Sequence, residues 1–136
     1  MFINISFVGC ELPKDSRDSV LDAQINGLKI GVVVNPPFTV HDNTGFSGSE
    51  IELLQEFCSE KSITYQLIEG TESELIKKLN KADIHIIIGG FKKNTIWQEK
   101  VGLTKTYDEE HVLLVPKGEN KLVMELESFM EKNKAR

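Results

Sequence analysis

Along this chain the spacing of apolar residues switches between alternation and a three-and-four repeat, which predicts strands and helices in succession. From residue 28 the run Leu-Lys-Ile-Gly-Val-Val-Val reads as a strand buried on both faces. It meets Asn35-Pro36-Pro37-Phe38, where consecutive prolines remove backbone donors and fix φ, so pairing stops there. An aromatic ring at such a stop has two readings, a rigid loop presented to a ligand or a core ring behind a stiff turn. Residues 39–48, with His-Asp-Asn-Thr-Gly in their middle, predict a turn or short hairpin. Ser47-Gly48-Ser49-Glu50 has capping-box spacing and starts a helix near Gly48, whose apolar stripe is Ile51, Leu54, Phe57 and Cys58. A second strand is expected over 62–68. A second capping box, Thr71-Glu72-Ser73-Glu74, opens a helix with Leu75, Ile76 and Leu79 inward.

The stretch Ala-Asp-Ile-His-Ile-Ile-Ile-Gly-Gly predicts a third strand that ends on Gly89 and Gly90. After a loop rich in Lys and Asn, residues 111–115 form a fourth strand closed by Pro116. Residues 120–132 place Leu122, Val123, Leu126, Phe129 and Met130 on one stripe, a terminal amphipathic helix. This alternation predicts an α/β open sheet, mostly parallel, with right-handed crossovers and helices on both faces. Ligands of such sheets bind beyond the carboxyl ends of the strands, where strand order reverses. The loops there are 35–38, 89–91 and 104–107, which shifts the reading of Phe38 toward ligand contact.

Composition narrows the classes. At 136 residues the chain holds one domain with a single core. Its net charge of −5 argues against a nucleic-acid partner, which needs a basic surface. No run approaches the roughly 18 apolar residues of a membrane span. The histidines, at 41, 85 and 111, lack metal-ligand spacing. There is no nucleophile elbow or phosphate loop, so neither a metal nor a cofactor is expected. Cys58 sits on a buried helical stripe and reads as a free thiol.

Cys10 stands differently. Met-Phe-Ile-Asn-Ile-Ser-Phe-Val-Gly-Cys is a short apolar run closing on Gly and Cys, and it resembles a bacterial lipobox, whose cysteine becomes lipid-modified. The stretch departs from a full secretory signal in lacking a positive amino-terminal region and a longer apolar core. The alternative is an amino-terminal strand with an incidental cysteine. The lipobox reading divides the chain into a partial lipoprotein signal over 1–10, a polar tether over 11–27 and a globular lobe over 28–136.

Four segments in order then resemble one family: Lys-Ile-Gly-Val-Val-Val-Asn-Pro-Pro-Phe-Thr-Val from 29, Gly-Phe-Ser-Gly-Ser-Glu-Ile-Glu-Leu-Leu from 45, Lys-Ala-Asp-Ile-His-Ile-Ile-Ile-Gly-Gly from 81 and Val-Gly-Leu-Thr-Lys-Thr-Tyr from 101. They are similar to the first lobe of the family 3 extracytoplasmic solute-binding proteins, the amino-acid-type receptors of ABC importers with the type 2 periplasmic-binding fold. The resemblance implies a binding protein rather than an enzyme, extracytoplasmic and transport-associated, periplasmic or at the cell surface. It further implies that Phe38 packs on the ligand or lines the cleft beside Asn35. Gly89, Gly90 and Phe91 match the segment whose backbone groups meet the ligand, and Thr104 and Tyr107 match the family's Ser and Tyr. The acids of the family's Gly-Phe-Asp-Val-Asp-Leu correspond to Glu50 and Glu52, for which capping and the positive helix end are the expected roles.

Two departures qualify that picture. Where the family carries an arginine that holds an amino acid's α-carboxylate, this chain has Trp97, with Lys92, Lys93 and Lys100 as the nearest cations. A lysine point charge does not reproduce the guanidinium fork, so the usual mode of amino-acid binding is in doubt and an amine is the other class expected. Trp97 either offers a stacking face to a cation or ring or packs at the domain edge. The family also inserts a second lobe after the fourth strand. Here the strand leads almost directly into a helix resembling the family's returning carboxyl-terminal segment, as if that lobe were excised. A half-cleft buries a small polar solute on one face only, so affinity is expected to be weak. It would also leave an exposed aromatic crescent of Phe38, Phe91, Trp97 and Tyr107. A second copy of the chain, or a membrane transporter beside a lipid anchor, is expected to cover it. Competing expectations are a structural or regulatory lipoprotein without a ligand and a small α/β enzyme akin to the fold's dehydratases.

Overall fold

A computed structural model describes residues 19–118 and 120–134. Cys10 and the signal-like stretch lie outside these residues. The chain begins with helix α1 (Ser19–Asn26), strand β1 (Leu28–Val32), the hairpin strands β2 (Val40–Asp42) and β3 (Gly45–Ser47), and helix α2 (Ser49–Lys61). Strand β4 (Tyr65–Glu69), helix α3 (Glu72–Asn80), strand β5 (Ile86–Lys92), a 3-10 turn over Ile96–Glu99, strands β6 (Gly102–Leu103) and β7 (His111–Val115), and helix α4 (Asn120–Lys134) complete it. The five-stranded sheet has the order β4-β1-β5-β7-β6, while β2 and β3 pair separately. Strand β1 runs parallel to both neighbours, with Ile30 opposite Leu67 on one side and Ile86 on the other. Strand β7 is antiparallel to β5 and β6, so the sheet is mostly parallel along its first three strands and turns antiparallel at one side.

Period-two alternation explains how both sheet faces become core. On β5, Ile86 and Ile88 face α1, α2 and α4, whereas Ile87 faces α3. On β7, Leu113 and Val115 join the first cluster and Val112 and Leu114 the second. Continuous apolar runs, rather than alternating ones, are what a sheet covered on both sides requires. Cys58 lies inside the first cluster, where burial pushes its thiol up to about 11, and at neutral pH it is an inert thiol.

Three expectations about the elements are corrected. The stretch expected as a tether contains α1 in its second half, and Val20 and Ala23 of that helix are buried in the core. The third strand does not end on its two glycines. It continues through them to Lys92, and its pairing with β7 shifts register between Ile87 and Phe91. Finally, Ser47 does not cap α2. The N-cap is Gly48, at φ 119 with no side-chain cap, and a side chain there would collide with the Phe38 carbonyl. The capping box at α3 forms as expected: the Glu74 N–H donates to Thr71 Oγ1 at 3.2 Å and the Thr71 N–H to Glu74 Oε1 at 3.0 Å.

Candidate functional site

The strand order places β1 between β4 and β5, so the chain leaves β1 toward one side and returns on the other. The carboxyl ends of β1 and β5 therefore flank the reversal point where ligands of open α/β sheets bind. The loop after β1 is tightly built. Asn35 N–H donates to the Thr39 carbonyl at 3.0 Å and to Thr39 Oγ1 at 2.7 Å, and that hydroxyl donates to the Val33 carbonyl at 2.6 Å. Thr39 is fully buried, and its hydroxyl bridges the Asn35 amide and the Val33 carbonyl.

The loop also reaches the start of the next helix. The carbonyl of Pro37 accepts from Ser49 N–H at 3.2 Å, and that of Phe38 from Glu50 N–H at 3.0 Å. The first amides of a helix have no partner within the helix; here the loop's carbonyls answer them, which is why α2 needs no side-chain cap. The same loop lays its side chains over β5. Asn35 Nδ2 donates to the Gly89 carbonyl at 2.9 Å. Gly90 has φ +68, and a β-carbon there would lie 2.5 Å from Phe38 Cδ2 and 2.8 Å from Asn35 Nδ2. Only glycine combines that backbone conformation with so close an approach.

Beneath this pair lies Glu50, which is 1% exposed. Its Oε1 accepts from Gly89 N–H at 2.9 Å and from Gly90 N–H at 3.0 Å, and its Oε2 accepts from the Tyr107 hydroxyl. Burial pushes the Glu50 carboxyl above its ordinary value, opposed by the bonds from Tyr107, Gly90 and Gly89 and by nearby His111. Tyr107 is likewise pushed up, by burial first and then by the Glu50 charge. Behind Tyr107, His111 is buried at the start of β7, with its ring centroid 4.5 Å from Phe38 and 6.1 Å from Tyr107. Its Nδ1 pairs with Asp108 Oδ2 at 2.8 Å. Burial raises the Asp108 carboxyl, but the amides of Glu110 and His111 and the His111 ring outweigh it, and the net direction is down.

Of the residues anticipated from sequence, the structure brings Asn35, Phe38, Gly89, Gly90 and Tyr107 into one constellation. It does not bring Phe91, Trp97 or Thr104 into it. Phe91 alternates to the opposite sheet face and is buried with Leu75, Ile76 and Leu79 of α3. Trp97 packs against that same cluster and donates its indole N–H to Glu72 Oε1 at 2.7 Å. Thr104 is buried, its hydroxyl accepting from Leu113 N–H at 3.0 Å and donating to the Lys105 carbonyl at 2.8 Å. The expected aromatic crescent is thus reduced to Phe38 and Tyr107, both half-buried. Lys92, one of the cations near the family's arginine position, pairs with Glu110 at 3.7 Å. Sequence reasoning missed Glu50 as a central group and did not place His111 or Asp108 in the site. The available signal was Glu50 at the family's first acidic position, but its capping-box spacing offered a local role that absorbed it. No group of three or more metal-ligating side chains that could hold a metal ion occurs among the described residues.

The sequence matches the family model for bacterial extracellular solute-binding proteins, family 3, over residues 28–135. An arginine-bound crystal structure of domain 1 from TmArgBP, in a point-mutant form, superposes with a TM-score of 0.77 at 22% identity, over 86% of this chain and 99% of that one. A Salmonella typhimurium periplasmic binding protein described for high arginine specificity gives 0.71 at 11% identity, over 80% of this chain and 93% of that one. The ancestral amino acid-binding protein AncCDT-1, described as a precursor of cyclohexadienyl dehydratase, gives 0.75 at 12% identity, over 86% and 94% of the two chains. At these identities the structural likenesses establish the fold. No curated protein matches the sequence. The doubly covered sheet, the convergence of its strand ends on one face and the family match across nearly all of the described lobe agree: the chain belongs to the bacterial extracellular solute-binding proteins of family 3.

Proposed function

We propose that the face built from Asn35, Phe38, Gly90 and Tyr107 is the solute-receiving half of an extracytoplasmic, transport-associated receptor that binds a small polar solute non-covalently. The single observation that carries this reading is the meeting of the β1 and β5 ends over Glu50, with Asn35 exposed and Phe38, Gly90 and Tyr107 half-buried. A backbone pair with glycine freedom beside aromatic rings suits a ligand that needs both hydrogen bonds and a flat contact. Among the described residues there is no arginine, so they offer no guanidinium fork to a carboxylate. An amine, or an amino acid held through its amine and side chain, fits better than one gripped by its carboxylate. In this reading Cys10 carries a lipid anchor, and a second copy or a membrane transporter covers the open half. Between Val115, where β7 ends, and Asn120, where α4 begins, the chain has no room for an inserted lobe.

A second reading is favoured by a specific observation: the floor's polar groups already have partners. The amides of Gly89 and Gly90 and the Tyr107 hydroxyl go to Glu50, and the Gly89 carbonyl takes Asn35. A structural or regulatory lipoprotein that no longer binds solute has this character. Thermal unfolding across amino acids, amines and small ions separates the two, since a ligand that binds only the native state raises Tm with concentration. A saturable rise for one class supports the receptor; a flat response to all of them at millimolar concentration refutes it. The mass and oligomeric state of material purified from membranes test the anchor and the partner. A mass lacking lipid at Cys10, or a monomer under all conditions, removes the corresponding part of the proposal.

A further inference from the structure

We infer that Glu50 is the positioning residue of the half-cleft: its carboxylate serves as the missing ladder partner of a bulged strand and sets how Gly89, Gly90 and Tyr107 are presented to a solute. The starting point is the β5–β7 register. Ile87 pairs with Leu114 and Phe91 with Val112, so Ile88, Gly89 and Gly90 stand opposite Leu113 alone. A bulge of this kind leaves backbone amides without their ladder acceptors. Buried amides without acceptors are costly. Both glycine amides point to one carboxylate oxygen, at 2.9 and 3.0 Å. That oxygen comes from α2, a different layer of the molecule.

The alternative role for Glu50, capping its own helix, is excluded by the bonds it makes. The first amides of α2 are taken by the carbonyls of Pro37 and Phe38, and no side chain caps the N-terminus. A carboxylate that is 1% exposed is retained in a fold only when donors satisfy it, and here each of its donors belongs to the candidate site. Glu50 itself is too deeply buried to touch a solute. It acts through three groups that can: the glycine pair, the Asn35–Phe38 loop that rests on Gly90, and Tyr107. Because the Glu50 amide also holds the Phe38 carbonyl at 3.0 Å, backbone and side chain of one residue tie together all the segments that converge on this face.

This inference rests on the proposed solute-binding role only for its effect on affinity; the geometry is tested independently. Backbone amide exchange of Gly89 and Gly90 is measured by NMR in the wild type and in Glu50→Asp and Glu50→Gln, alongside Tm shifts with L-arginine and with putrescine as probes. Aspartate keeps the charge but withdraws it by one methylene. It is expected to speed exchange at both glycines by about tenfold or more while β1 amides such as Ile30 keep their protection. Glutamine retains an acceptor oxygen at full reach and is expected to stay within about twofold of wild type at the same amides. Any probe-induced Tm shift seen in wild type is expected to survive in the glutamine variant and vanish in the aspartate one. Unchanged protection at Gly89 and Gly90 in Glu50→Asp overturns the positioning role, as does loss of protection spread along all of β5 or equal loss in both variants. If the glycine amides respond as expected while neither probe moves the wild-type Tm, the positioning role stands and binding of these probe classes falls. Should Glu50→Asp fail to fold, the glutamine variant and Tyr107→Phe carry the same measurement. Removing the single Tyr107 donor is expected to leave the glycine amides protected, and their deprotection in that variant overturns the assignment.

Discussion

The first turns of α2 and α3 carry the same four-residue signature, Ser47-Gly48-Ser49-Glu50 in one and Thr71-Glu72-Ser73-Glu74 in the other. At α3 the signature does what its spacing suggests. Thr71 and Glu74 exchange bonds at the surface, and the amide and hydroxyl of Thr71 draw the Glu74 carboxyl below its ordinary value. At α2 the signature is the same but the outcome is reversed. Ser47 stays in β3, backbone carbonyls of the Pro-Pro loop take the helix amides, and the acid is buried against a neighbouring strand with its carboxyl pushed up. A capping box is a local arrangement, so it forms where nothing else competes for its members. Glu50 faces a stronger demand, the amides of buried Gly89 and half-buried Gly90 on a bulged strand, and α2 is held over that bulge by Ile51, Leu54 and Phe57 in the core. The acid that serves its own helix is exposed; the acid that serves the sheet sits at the candidate site.

The largest expected effect that tests this contrast is Glu50→Ala. It strands the Gly89 and Gly90 amides and the Tyr107 hydroxyl, and is expected to lower unfolding free energy by about 3 kcal/mol or more in urea titrations. A loss no larger than that of an ordinary surface substitution breaks the comparison. Gly90→Ala follows, at about 2 kcal/mol, because alanine at φ +68 is strained and its methyl group meets Phe38 and Asn35. NMR shifts of the Phe38 and His111 rings should move with it, and their constancy would show that the loop does not rest on Gly90.

The two acids should also respond to pH with opposite sign. The folded Glu50 carboxyl sits above its unfolded value, so the native state holds that proton more tightly. Relative to Glu50→Gln, wild-type stability should therefore fall as pH rises from the unfolded value through the folded one. Glu74 sits below its unfolded value, so its contribution is present above that value and is lost as pH falls through the folded one. Paired urea midpoints from below the ordinary glutamate value, for Glu74, up to neutral pH, for Glu50, check both slopes, and slopes of the same sign would contradict the assignment. Thr71→Ala should cost about 1 kcal/mol at neutral pH, with the difference shrinking in acid. Smallest of all, Ser47→Ala should change stability by less than about 0.5 kcal/mol, since it caps nothing. A full capping penalty there would mean that α2 starts as its sequence suggests after all.

Much of the lobe was legible before its structure. The β-branched run from 28, the three-and-four stripes of α2, α3 and α4 and the family's four segments all depend on local periodicity, and each corresponds to an observed element. The glycines at 89 and 90 were less informative about β5. They carry no apolar signal, so the sequence marked a point of close approach but not whether pairing continued beyond it. Phe91 was misplaced for a different reason: it keeps the phase of Ile87 and falls with it in the cluster under α3, whereas the expectation rested on its place in the family's segment. Trp97 lies in the 3-10 turn after β5, and only the packed fold sets its indole against that cluster and Glu72.

The amino-acid sequence by itself determined strands β1, β4, β5 and β7, helices α2, α3 and α4 with their buried sides, and the family, because apolar spacing and turn chemistry act over a few residues. Only the tertiary structure decided that β7 joins the sheet antiparallel, that the register slips at Gly89 and Gly90, and that Glu50 serves the slipped strand rather than its own helix. Those outcomes turn on which buried donor is left without an acceptor once distant segments have packed. That quantity exists only in the assembled fold, where desolvation makes each unanswered amide count.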